Sequence, residues 1–150
     1  MSTLQNLSQY GNSFQTQVIS ALLTHKEFLI NINDILTPEY FDSTSNQWIV
    51  GEILRYYNKY HCNISMNILR VELKKIDNEV LQVAIKEQLR EAYRTSEEDL
   101  KYVEEEFSNF CKNQQKKKAL LTSVDFLNDG DYDSIRTMID NALRAGQDKN

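Results

Sequence analysis

Apolar positions recur at helical spacing through most of the chain, and the breaks between the runs separate the elements. Residues up to about Gly11 carry no periodicity and read as a loose leader. From Ser13, a good N-cap, Phe14, Val18, Ala21, Leu22 and His25 form the buried stripe of a first helix. Lys26 to Ile35 reads as a second, short helix. Pro38 then biases Thr37 away from the helical region and marks a break. A third helix runs from about Thr44 to Tyr60, opening after Ser43, with Trp48, Ile49, Ile53, Tyr56, Tyr57 and Tyr60 along one side. A fourth begins after Ser65 and carries Ile68, Leu69, Val71 and Leu73 toward Ile76. Asp77 and Asn78 offer caps for a fifth, whose stripe of Val80, Leu81, Ala84, Ile85, Leu89, Ala92 and Tyr93 is wide enough for two neighbours.

The second half continues the pattern with one interruption. Ser96-Glu97-Glu98-Asp99 has the form of a helix start, a Ser N-cap followed by acidic residues in the first turn. Leu100, Val103, Phe107 and Phe110 extend the apolar face. It fades over Lys112 to Lys118 and resumes at Leu120, Leu121, Val124 and Leu127. Asn128-Asp129-Gly130 breaks the run. A cleanly amphipathic helix follows, with Ile135, Met138, Ile139, Ala142 and Leu143 on one face and Gly146 closing it. The predicted class is all-α.

Composition narrows the function. The chain of 150 residues has a net charge of −5, which argues against an autonomous nucleic-acid binder, because such affinity comes from neutralising phosphates. It has a single Pro and four scattered Gly, and no apolar run of about 20 residues that would span a bilayer. No secretory leader is apparent, and the expected compartment is cytoplasmic. Cys62 and Cys111 share no metal-type spacing with each other or with His25 and His61, and are expected to be reduced and at least half-buried. His25 lies on an apolar stripe, where a satisfied, half-buried imidazole is the preferred reading over a ligand. No glycine-rich phosphate loop with its Lys and Ser or Thr occurs, so ATP hydrolysis is not expected of this chain. No catalytic or metal site is expected either. The acidic run from Glu97 to Glu106 reads as a solvated, dipole-favourable helix start. Lys112, Lys116, Lys117 and Lys118 are the best candidates for DNA contact, although a solvated face is the preferred reading.

The segment from Thr16 to Ile53 carries a resemblance. Val18-Ile19-Ser20-Ala21-Leu22-Leu23, then Leu36-Thr37-Pro38-Glu39-Tyr40-Phe41, then the helix start at Asn46-Gln47-Trp48-Ile49-Val50-Gly51-Glu52-Ile53 resemble the N-terminal domain of DnaB-type replicative helicases. The family's His in the last motif is missing, and Val50 stands where Phe is usual, so a divergent, phage-type member is implied. More weakly, Tyr102-Val103-Glu104 and Lys118-Ala119-Leu120-Leu121 resemble the family's hairpin.

The resemblance implies three parts: a helical head over residues 1–95, a long helix or hairpin for subunit association over 96–128, and an amphipathic linker helix over 129–150. It implies a non-catalytic scaffold that self-associates, as a dimer up to a hexamer, and binds primase or a helicase loader. ATP and Mg would belong to an ATPase domain beginning where this chain stops. Leu89, Tyr93, Val103, Phe107 and Phe110 are then expected at the subunit interface. From the residues alone, their folding back onto the head as core is an equal alternative. Ile135, Met138, Ile139 and Leu143 are expected to dock the linker onto a neighbour's ATPase domain. Two alternatives share the same residues: the helicase-binding domain of a primase, and a small helicase loader or inhibitor.

Overall fold

Ser43, Ser65, Asn78 and Asp131 each accept a hydrogen bond from the backbone N–H three residues on, and each stands immediately before a helix. Such caps satisfy donors that the first helical turn cannot pair internally. The computed structural model describes residues 6–145, and over these the fold is all-α, with no strand. The helices are α1 (Gly11–Thr24), α2 (Lys26–Ile32), α3 (Thr44–Tyr60), α4 (Met66–Leu73), α5 (Glu79–Arg94), α6 (Leu100–Asn128) and α7 (Tyr132–Arg144).

The head is built around α1, which packs against α2, α3, α5 and α6. Val18, Ile19, Ala21 and Leu22 are fully buried there. The first part of α6 closes the same core. Phe107 meets Phe41 and Phe28 with ring centroids 5.8 and 6.2 Å apart, and Phe110 meets Tyr40 edge-on at 5.2 Å. Pro38 opens a short 3-10 turn, Pro38–Tyr40, that delivers both Tyr40 and Phe41 to this cluster. Polar side chains tie the loops down. The Gln15 amide donates to the Leu7 carbonyl, and its oxygen accepts from the Asp42 N–H, each at 3.3 Å. Asn63 donates to the carbonyl of Leu22 at 2.8 Å.

Several expectations are corrected by this architecture. The leader is ordered from residue 6: Leu7–Tyr10 forms a 3-10 turn, Leu7 is fully buried, and Tyr10 stacks on Phe14. Residues 1–5 lie outside the described residues. Helix α1 begins at Gly11, so Ser13 lies inside it and caps nothing. Helix α2 stops at Ile32, where the Asn33 side chain donates to the carbonyls of Leu29 and Ile30 and supplies partners that the helix end lacks.

Ser96 is not the cap of α6. Its hydroxyl accepts from the Glu98 N–H within a turn, Asp99 adopts φ 69°, and the helix starts at Leu100. The chain has to reverse within a few residues to lay α6 back against α1, and the left-handed residue makes that reversal.

The fading of the apolar pattern over Lys112–Lys118 is not a break. Helix α6 runs unbroken for 29 residues, and the pattern weakens where the helix leaves the head. The hairpin is also placed differently from expectation. Its turn is Asn128–Asp131, where Gly130 takes φ 73°, and its second arm is α7, which packs along α6. The segment expected to be a free linker helix is therefore half of the hairpin. The single core cluster also crosses residue 95, since Val103, Phe107, Phe110 and Cys111 belong to it. The Gly146 stop lies outside the described residues.

Candidate interaction surface on the hairpin

Five residues were expected at a subunit interface, and four of them are core. Leu89, Val103, Phe107 and Phe110 are each no more than 6% exposed within a single chain. Val103, Phe107 and Phe110, already buried in the core of the head, offer nothing to a second subunit, whereas Leu89 borders a groove between α4 and α5. Tyr93 alone stands out, 41% exposed, and desolvation raises its phenol above the ordinary value.

Of the expected linker-docking residues, Ile135, Met138 and Ile139 are half-buried and Leu143 is 53% exposed. Met138 and Ala142 border a cleft between the two arms, opposite Ala119, Thr122 and Phe126 of α6. Much of the apolar face of α7 is thus engaged by its own hairpin.

The lysines do not form one face. Lys112 and Lys116 are four residues apart and share a side of α6, whereas Lys117 and Lys118 each turn about 100° further round the helix. Lys118 borders the inter-arm cleft. Such a fan does not make a track for a phosphate backbone.

What the structure does expose is a stripe on the outer part of α6. Leu120, Leu121, Val124 and Leu127 are 61, 45, 53 and 56% exposed. Leu120, Val124 and Leu127 follow i, i+4, i+7 spacing and line up along one side of the helix. Aliphatic side chains in a row on a helix that has left its core make a candidate contact surface. The periodicity was visible in the sequence, but nothing there separated it from the buried stripe preceding it on the same helix.

The remaining candidates take structural roles. The His25 Nδ1 lies 2.6 Å from the Glu104 Oε1 and links the end of α1 to α6, so the imidazole is partnered and half-buried. Trp48 and Tyr56 pack partly buried against the core. Tyr40 is buried and accepts a hydrogen bond from the Gln115 amide at 3.3 Å. Desolvation, the neighbouring Cys111 and Glu39 push its phenol up to about 12, partly offset by that hydrogen bond. Cys111 is buried and its thiol is pushed well up by desolvation, whereas Cys62 is exposed, contrary to expectation. Among the described residues, no group of three or more His, Cys, Asp or Glu is placed to hold a metal ion. No helix among them is long and apolar enough to cross a membrane.

Family models, curated proteins and solved structures give no match to this chain.

Proposed function

We propose that the chain is a non-catalytic assembly and docking domain, acting as the N-terminal scaffold of a DnaB-like replicative helicase. The observation that carries the reading is the apolar stripe Leu120–Val124–Leu127 on a hairpin extending from a packed head. The resemblance implies a head, a hairpin and a linker helix; a head and a hairpin are described here, with the expected linker segment serving as the second arm. The stripe gives that hairpin a surface for a second copy, in place of the buried residues first expected there. Assembly through hairpins would set the heads in a collar around DNA, where primase or a loader could dock. ATP and Mg would serve only a separate ATPase domain, because this sequence holds no phosphate loop.

One observation favours a second reading. The segment Tyr132–Arg144 is an arm of the hairpin, and no further helix follows it among the described residues. A head with a two-arm hairpin fits the helicase-binding domain of a primase equally well. Negative-stain electron microscopy of the concentrated chain, alone and mixed with a DnaB-type helicase, separates the two readings. Closed rings of the chain alone support the collar. Binding of the chain to a helicase ring, without ring formation of its own, supports the primase domain. Neither rings nor binding overturns both.

A further inference from the structure

We propose that the groove between α4 and α5 is a docking site for an acidic, amphipathic segment of a partner protein. The groove has a volume of about 700 Å³. Its floor is apolar, formed by Met66, Leu73 and Leu89. The Gln82 side chain donates to the carbonyls of Leu73 and Ile76, and so holds the end of α4 against the start of α5. Along its edges stand Arg70 and Lys74 from α4 and Lys86 from α5. Arg90 and Arg94 extend the α5 row, and among the described residues no carboxylate lines the groove.

Charge decides what fits there. The chain as a whole carries −5, yet five of its 17 Lys and Arg side chains border this one groove. Arg90 and Arg94 each reach an acidic neighbour on their own helix, Glu87 at 2.5 Å and Glu91 at 3.6 Å. Arg70, Lys74 and Lys86 form no ion pair among the described residues. Lys86, Arg90 and Arg94 repeat every four residues, rungs about 6 Å apart along the helix. Carboxylates one turn apart on a partner helix repeat at the same interval, and apolar side chains on its inner face would meet the floor. The long Lys and Arg stems can cover that floor while their charged ends reach outward.

Nucleic acid suits the groove less well. Single strands are held by aromatic stacking along a basic track, and among the described residues Tyr93 is the one aromatic lining this groove. The proposal does not depend on hairpin assembly, which uses other residues.

The test is an amide-shift titration of the isotope-labelled full chain with a synthetic helical peptide carrying Leu on one face and Glu on the other. Controls are the same peptide with Gln for Glu, and oligothymidylate. The expected result is shifts confined to α4 and α5 that weaken with added salt. Binding should fall about ten-fold or more in Lys74→Glu/Lys86→Glu, where attraction becomes like-charge contact. Both lysines are exposed, and Arg70→Glu gives an independent second variant. No groove-localised shift at millimolar peptide overturns the proposal. So does equal binding of the Gln peptide, or occupancy of the groove by oligothymidylate.

Discussion

Replacing Phe107 by Ala separates a core role from an interface role, because the two predict different observables. Phe107 is fully buried, with the rings of Phe41, Phe28 and Phe110 at 5.8, 6.2 and 6.2 Å. Truncating a buried Phe to Ala costs about 3–5 kcal/mol through lost transfer energy and the cavity left behind. The upper part of that range applies, since three aromatic neighbours lose their partner at once. A domain of this size has about 5–15 kcal/mol in hand, so the variant loses about a quarter or more of its stability. At about 2–4 °C per kcal/mol, its melting temperature falls by about 10 °C or more. Urea denaturation followed by far-UV circular dichroism, at a low and a high protein concentration, is the assay. The expected result is a lower midpoint, with the same loss at both concentrations. An unchanged midpoint, or a loss seen only where the chain associates, would refute the reasoning and put Phe107 in an intersubunit contact.

Other expected outcomes follow from single residues. Ser43→Ala removes the cap that accepts from the Asn46 N–H at 3.1 Å, and should lower the urea midpoint by the equivalent of about 0.5–2 kcal/mol. A thiol-reactive chromophore should label exposed Cys62 quickly in the folded chain and buried Cys111 only after unfolding. The Tyr40 phenol is held at about 12 against an ordinary 10.0. Between those values the unfolded chain loses a proton that the folded chain keeps, so stability falls as pH rises through that window. Tyr40→Phe should flatten that part of the loss in midpoint-versus-pH curves, and identical slopes would contradict the assignment.

The sequence showed where apolar stripes lie better than what covers them. Ser43, Ser65 and Asn78 were legible as helix starts, because a side-chain acceptor there does a local job that needs no tertiary partner. Phe107 and Phe110 were legible as apolar, but their cover comes from Phe28, Tyr40 and Phe41, which are more than sixty residues away in the chain. Periodicity within one helix carries no record of such neighbours. The buried stripe through Phe107 and the exposed one through Val124 therefore look alike along the chain, and core and interface stand as equal alternatives for the first until it is folded. Leu7 was missed because a single apolar residue in a polar leader has no period. Ser96-Glu97-Glu98-Asp99 satisfied the pattern of a cap, but a reversal through Asp99 overrode it. The basic groove escaped notice because Arg70 and Lys74 are distant in sequence from Lys86, Arg90 and Arg94, and only folding brings the two rows together.

Light-scattering mass across a concentration series tests self-association through the exposed hairpin stripe. The chain should exceed its monomer mass of 17.6 kDa as concentration rises, and Val124→Asp should return it to that mass while leaving the urea midpoint nearly unchanged. A wild-type mass fixed at 17.6 kDa up to near-millimolar concentration, or a Val124→Asp variant that assembles as well as wild type, would contradict the account.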